Sequence, residues 1–224
     1  MSFLKNMSTE KLELIITILS VILILAIPQY GVIIAFIIVV AYLRRSNNRK
    51  ELRKSIGLKR PKNLALLIIV TVFLGVFIEL TMEILANPII EKLTNSKIDL
   101  SEVEMASIGD YLTWIVIGFV LGGLLEEMLF RGFLITRISK FINKNKTNDI
   151  LALIITSILF GLCHLYQGWS GVISTGIIGL IFGIIFLAFN KNLWYSILTH
   201  GFVNATALTI LYFGYYGKIE SLIF

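Results

Sequence analysis

Three separated segments of the chain carry ionisable or amide side chains among apolar residues. The first contains Glu126 and Glu127, followed by Arg131. On a helix, Glu127 and Arg131 are four positions apart and share one face, in the order that favours an ion pair. Glu126 points about 100° away from Glu127. This spacing predicts that Arg131 neutralises Glu127 and leaves Glu126 free for chemistry. A Glu–Arg pair of this kind also occurs as a purely structural network.

The two histidines of the chain lie in the other two apolar segments. Phe160 precedes His164 by four positions, and Asn204 follows His200 by four, so each pair shares a helix face. Taken singly, His164 is also typical of a packed histidine, and His200 with Asn204 is typical of a polar contact between helices. An ionisable group inside a membrane helix costs about 2.5–3.5 kcal/mol on insertion scales. The joint presence of these groups therefore favours a functional site.

A hydrolase can be built from a carboxylate, two imidazoles and a carboxamide that face one water-filled cavity. A glutamate beside a histidine can take a proton from water, which then attacks a carbonyl carbon. A second imidazole and an amide can donate hydrogen bonds to the oxyanion that forms. Loss of one such donor typically lowers turnover by about 10²–10³.

The elements that position these groups are predicted to be membrane helices. Of the 224 residues, 57% are hydrophobic and 15% are charged, whereas soluble domains carry about 25% charged residues. This composition excludes most soluble enzymes, nucleic-acid binders and disordered chains. The single cysteine, Cys163, excludes an internal disulfide and a multi-cysteine metal site.

The apolar runs predict an all-α fold, a polytopic transmembrane bundle of about seven helices with a polar intramembrane cavity. We divide the chain into an N-terminal hairpin with a basic loop, residues 1–62, and a core, residues 63–224. Pro28 predicts a tight hairpin between the first two helices, although one long kinked helix is an alternative. The predicted helices are Leu12–Ile27, Gly31–Leu43, Asn63–Ala86, Tyr111–Leu134, Ile150–Tyr166, Trp169–Phe189 and Leu193–Tyr212.

Basic residues predict the orientation in the cell membrane. Nine of the twenty Lys and Arg residues lie between Arg44 and Lys62, and a second group lies between Arg137 and Lys146, whereas Asn87–Asp110 is acidic. Because basic loops stay in the cytoplasm, the N-terminus and both basic segments are predicted there. We interpret Arg44–Lys62 as a topology determinant, with binding of anionic lipid heads as the alternative. Glu79 and Glu83 are interpreted as solvated residues near a helix end rather than as a second polar site.

Together, the motifs Glu126-Glu127-xxx-Arg131, Phe160-xxx-His164 and His200-xxx-Asn204 resemble the three signatures of the CPBP family of intramembrane proteases. This family includes CAAX prenyl endopeptidases of the Ras-converting type and relatives linked to bacteriocin processing and self-immunity. The resemblance covers roughly residues 124–204.

The resemblance implies a role for each motif residue. Glu126 corresponds to the residue that activates the attacking water, helped by His164, and His200 with Asn204 to the oxyanion-binding pair. The supporting residues are Glu127, Arg131 and Phe160, of which Phe160 is expected to pack one turn below His164. The resemblance also implies a cavity that opens toward the cytoplasm.

Metal dependence has two alternatives. Glu126, His164 and His200 would form a three-ligand zinc site with water in the fourth position. We favour the metal-free alternative, because no His-Glu-xx-His motif occurs and the three ligands would come from three helices.

The function predicted from these features is an intramembrane endopeptidase that uses glutamate-activated water. Its expected partners are a peptide or lipidated protein substrate and membrane lipids, and no nucleic acid. The main alternative is a non-catalytic membrane scaffold or a bacteriocin self-immunity factor of the same fold. A proton-coupled transporter is disfavoured, because the sequence shows no inverted repeat.

Overall fold

The computed structural model describes residues 8–45, 49–142 and 146–215, which form eight helices and no strand. The all-α class is therefore confirmed. Seven helices correspond to the seven predicted runs, and a short additional helix lies in the basic segment. The helices are α1 (Thr9–Ala26), α2 (Pro28–Arg45), α3 (Arg49–Ser55), α4 (Leu64–Thr94), α5 (Ile108–Phe141), α6 (Lys146–Leu162), α7 (Gly168–Ala188) and α8 (Leu193–Tyr212).

Among the described residues, three segments are long and apolar enough to cross a membrane: Leu64–Thr94, Ile108–Phe141 and Leu165–Ala188. Tyr30–Arg44 and Thr147–Leu162 are shorter apolar helices. Large apolar side chains such as Ile69 and Phe73 are exposed on the outside of the bundle, as expected where lipid replaces water. Seven membrane spans and their orientation stay predictions, and the predicted cytoplasmic N-terminus, residues 1–7, lies outside the described residues.

The first two helices form an antiparallel hairpin. The Tyr42 hydroxyl, near the end of α2, donates a hydrogen bond of 3.0 Å to Glu13, near the start of α1. This contact confirms the hairpin and rules out one long kinked helix. Glu13 also forms ion pairs with Arg137 (3.0 Å) and Lys140 (2.8 Å) near the end of α5. The hairpin is thus attached to the core at the end that carries the basic segments.

Two of the long helices contain wide, π-helical turns. They lie at Met82–Ala86 in α4, and at Gly118–Glu126 and Met128–Ile135 in α5. Such turns occur frequently at functional sites. In α5 they contain or directly flank the Glu126–Arg131 motif, so the side-chain directions along this helix depart from those of a regular α-helix.

Close helix packing around α7 depends on two glycines. A Cβ atom at Gly179 would lie 2.9 Å from Cδ1 of Phe160, and one at Gly183 would overlap the Leu153 side chain. The spacing Gly179-xxx-Gly183, which is typical of closely packed membrane helices, therefore acts in packing. It brings α7 against α6 and beside Arg131 of α5.

Candidate active site

Helix α5 places the predicted ion pair at the centre of the bundle. Arg131 Nη1 donates a hydrogen bond of 2.7 Å to Glu127 Oε1, and Nη2 donates one of 2.8 Å to the Gly179 carbonyl oxygen. Glu127 is 0% and Arg131 1% exposed. The guanidinium carbon lies 4.5 Å from the ring centre of Phe160 and 5.5 Å from that of Phe182. The charge of Glu127 is therefore compensated within the apolar core.

His200 of α8 lies between the two carboxylates. Its Nδ1 is 2.9 Å from Glu127 Oε1, and its ring stacks on Phe182 with centroids 4.4 Å apart. Because a carboxylate only accepts hydrogen bonds, Nδ1 carries the hydrogen. The other nitrogen, Nε2, is 3.9 Å from Glu126 Oε2, which is too long for a direct hydrogen bond. The side chain of Glu126 is 20% exposed, so Glu126 is the carboxylate of the pair that the protein does not fully enclose.

Asn204 lies one helical turn beyond His200 and faces the same part of α5. Its Nδ2 donates a hydrogen bond of 3.1 Å to the Gly118 carbonyl oxygen. A Cβ atom at Gly122 would overlap Asn204 Nδ2 and would lie 3.1 Å from His200 Nε2. The absence of a side chain at Gly122 therefore makes room for both polar groups of α8.

His164 follows the C-terminal end of α6, which ends at Leu162. The sequence placed it inside a helix that continued to Tyr166. Instead, a 3₁₀ turn begins at Leu165, and the half-buried His164 is directed by a 2.8 Å hydrogen bond between Nδ1 and the Phe160 carbonyl oxygen. The carbonyl accepts this bond, so in the neutral ring Nε2 has the free lone pair. The Phe160 ring lies 5.0 Å from the His164 ring and 6.0 Å from the His200 ring.

A cavity of about 190 Å³ connects these side chains. Phe160, His164, His200 and Asn204 all contribute to its wall. Its volume corresponds to several water molecules at about 30 Å³ each. Glu126 does not line this cavity and approaches it through its contact with His200 Nε2. The structure thus brings three of the four predicted reactive residues to one space and places the fourth beside it.

The opposite wall of the cavity carries polar residues that the sequence interpretation assigned wrongly. Glu79 and Glu83 were expected to be solvated, but they are 7% and 6% exposed and line the cavity. Asn87 donates a 3.1 Å hydrogen bond to Glu83 Oε2 and accepts one of 2.7 Å from Ser174. Glu79, Glu83 and Asn87 repeat every four positions, and this spacing on an apolar helix was the available signal.

The cavity lies next to the acidic connection between α4 and α5. Ile98, Leu100 and Val103 of this connection line it, and the Asp99 backbone N–H donates a 3.1 Å hydrogen bond to Gln167. Hydrogen bonds from Ser101 lower the pKa of the exposed Asp99 carboxyl below its ordinary value. The charge pattern predicts this connection on the non-cytoplasmic side. With that orientation the cavity lies toward the non-cytoplasmic end, whereas the family resemblance implies an opening toward the cytoplasm.

A second, larger opening lies toward the basic end of α5. It is a groove of about 570 Å³ whose wall includes Leu124 and Met128, the residues two before and two after Glu126. Leu124 and Met128 therefore face this groove from the side of α5 roughly opposite to Glu126. If the basic segments are cytoplasmic, the groove is the opening on that side.

The zinc alternative requires Glu126, His164 and His200 to surround one ion. In the part of the chain that the structure describes, no group of three or more His, Cys, Asp or Glu side chains is positioned to hold a metal ion. The buried Cys163 is free, and a single thiol does not complete such a group.

Comparison with known proteins identifies the segment that holds the site. Residues 108–206 match the family model described as Type II CAAX prenyl endopeptidase Rce1-like. The match includes Glu126, Glu127, Arg131 and both histidine motifs, so the family resemblance of these motifs is confirmed over this segment. No curated protein and no solved structure matches the chain. Together with the three long apolar helices, the match supports an integral membrane protein of a protease family.

Proposed function

Because residues 108–206 match the family model of Rce1-like type II CAAX prenyl endopeptidases, we propose that the protein is an intramembrane endopeptidase. It hydrolyses a peptide bond of a membrane-associated peptide or lipidated protein in the cell membrane. The observation that carries this proposal is that the two adjacent carboxylates, Glu126 and Glu127, have different partners. Glu127 is engaged by Arg131 and His200, whereas Glu126 faces His200 Nε2 at 3.9 Å and is 20% exposed.

The charges of the cluster define the reactive state. Glu126 and Glu127 carry two negative charges and Arg131 one positive charge. One proton on either Glu126 or His200 makes the cluster neutral, which an apolar surrounding strongly favours. When that proton is on His200, Glu126 is a free base and Nε2 is a hydrogen-bond donor. This is the state in which both groups act in hydrolysis.

The reaction follows from these positions. Glu126 takes a proton from water, with His164 Nε2 as a second acceptor, and the water oxygen bonds to the carbonyl carbon of the substrate. The oxyanion accepts hydrogen bonds from His200 Nε2–H and Asn204 Nδ2–H. The proton then passes from Glu126 to the amide nitrogen, the carbon–nitrogen bond breaks, and a carboxylate and an amine leave.

The proposed reaction uses no metal. Treatment of the purified protein with a chelator is expected to leave turnover unchanged, and metal analysis is expected to find no stoichiometric zinc. Stoichiometric zinc that is lost together with activity would overturn the metal-free mechanism.

The substrate can be found by comparing membrane peptides. Cells that carry wild type are expected to release peptides that cells with Glu126→Ala do not, while both proteins insert into the membrane in equal amounts. Identical peptide sets would contradict the proposal. Rescue of a deletion phenotype by both Glu126→Ala and His164→Ala would indicate a non-catalytic scaffold or self-immunity factor instead.

A further inference from the structure

The groove lined by Leu124 and Met128 adjoins a basic bowl at the same end of the bundle. Apolar side chains from four helical regions line the groove, among them Val40, Leu52, Leu124 and Trp194. The bowl has a volume of about 600 Å³. Its wall consists of Leu58 and the cations Lys50, Arg53, Lys54, Lys59 and Arg60. Arg53 and Leu58 belong to both walls, so the apolar groove and the cationic bowl lie side by side.

No carboxylate lines either space among the described residues. Arg44 at the groove and the five cations of the bowl form no ion pair with a carboxylate in the described ranges. Glu51 of α3 instead lines a different cavity, together with Arg137, Lys140 and Lys191. Lys59 Nζ donates a hydrogen bond to the Asn190 carbonyl oxygen, a neutral acceptor, so the positive charge of the bowl is left for an external anion.

The wall between groove and bowl is folded against the core. Ile56 is 1% exposed, and the Leu193 backbone N–H donates a 2.9 Å hydrogen bond to the Gly57 carbonyl oxygen. Gly57 has φ of +86°, a left-handed conformation that glycine adopts without strain. Arg137 Nη2 donates a 3.0 Å hydrogen bond to Ser55 at the end of α3. The cations of α3 are thus presented by a fixed platform, which is typical of a preformed ligand site.

We propose that the groove and bowl together bind one anionic phospholipid. Its phosphate contacts the cations of the bowl, and an acyl chain lies in the groove beside Leu124 and Met128. Arginine and lysine side chains are suited to phosphate, and anionic lipid is available at the membrane surface where such basic segments lie. A topology determinant needs only the positive charges. An apolar groove next to a cationic bowl also matches the acyl chain and the phosphate of a phospholipid.

Trp194 in the groove wall provides a direct test. The full chain carrying Trp114→Phe and Trp169→Phe retains Trp194 as its one tryptophan and is reconstituted in vesicles. Phosphatidylglycerol with brominated acyl chains is expected to quench Trp194 at least twofold more than brominated phosphatidylcholine at the same mole fraction. A companion protein that retains Trp169, which is exposed at the start of α7, is expected to show no headgroup preference.

Charge variants test whether the headgroup preference depends on the cations of the bowl. Arg53→Gln with Lys54→Gln is expected to abolish the preference at Trp194. The matched control, Lys92→Gln with Lys97→Gln, removes the same charge from the acidic connection region and is expected to retain it. Equal quenching by the two brominated lipids in the protein with all cations intact would overturn the proposal, whether or not the variants fold. An unchanged preference in the folded Arg53→Gln, Lys54→Gln variant would also overturn it.

Discussion

At the residue scale, a single carboxylate oxygen organises the site. Glu127 Oε1 accepts from Arg131 at 2.7 Å and lies 2.9 Å from His200 Nδ1. These bonds fix the ring of His200, so that Nε2 is directed toward Glu126. The buried guanidinium is held by Glu127, Gly179 and aromatic rings, an arrangement that suits the planar donors of arginine. Arg131 is therefore a positioning residue for His200 and for the charge of Glu127.

Replacement of Arg131 tests this structural role. Arg131→Met leaves the buried Glu127 carboxylate without its cation, and loss of one partner of a buried ion pair costs about 3–5 kcal/mol. We expect the free energy of unfolding, measured by denaturant titration in micelles, to fall by that amount. The control is Lys140→Met, whose pairs with Glu10 and Glu13 are partly exposed, with an expected loss of about 1 kcal/mol or less. Wild-type stability of Arg131→Met would contradict the assignment.

The sequence was sufficient to predict which residues within each motif lie on the same helix face, because positions four apart on a helix share a face. The Glu127–Arg131 ion pair follows directly from this rule. The bond between His200 and Glu127 joins residues 73 positions apart and depends on how α5 and α8 pack, which periodicity does not specify. For the same reason the burial of Glu79 and Glu83 was not predicted, since their solvent exposure depends on the neighbouring connection and on α7.

At the element scale, glycines on α5 let α8 approach closely enough for two polar side chains to enter the site. Gly122 faces both His200 and Asn204, and the wide turns of α5 set the directions of Glu126 and Glu127. The Gly118-xxx-Gly122 spacing is typical of close helix packing, but it does not specify which helix packs there. The end of α6 at Leu162 was also missed, because the apolar run continues beyond the residue where the backbone turns.

Gly122→Ala tests the requirement for close approach. Its Cβ atom would overlap Asn204 and crowd His200, and overpacking of this kind typically costs about 1–3 kcal/mol. We expect a loss of unfolding free energy in that range and a larger relative loss of peptide turnover. Gly176→Ala is the matched control, since its nearest contact would be an ordinary 3.7 Å. Equal turnover and equal stability of the two variants would show that the close approach of α8 to α5 does not require a glycine at position 122.

At the scale of the whole molecule, charge separates the two ends of the bundle. The hairpin, α3 and the end of α5 form a basic end, whereas the connection between α4 and α5 carries acidic residues over the polar cavity. Composition and charge were enough to predict a helical membrane protein and these two ends. The position of the cavity relative to these two ends depends on the packing of four helices and a connection, which the sequence pattern does not specify. For this reason the predicted opening and the predicted orientation disagree.

Labelling of introduced cysteines tests the orientation. In a Cys163→Ala background, Glu104→Cys is expected to react in intact cells with a maleimide that does not cross membranes. Lys54→Cys is expected to react only after the cells are opened, because the basic end is predicted in the cytoplasm. Both positions are exposed in the structure. The reverse pattern would place the polar cavity on the cytoplasmic side.

The most direct measurement of the central claim is turnover of an identified released peptide by purified Glu126→Gln. This change keeps the shape of the side chain but removes the base that takes the proton from water. General-base catalysis contributes about 10²–10⁴-fold, so kcat is expected to fall at least 10²-fold with an unchanged free energy of unfolding. Turnover of Glu126→Gln equal to that of wild type would contradict the claim that Glu126 activates the attacking water.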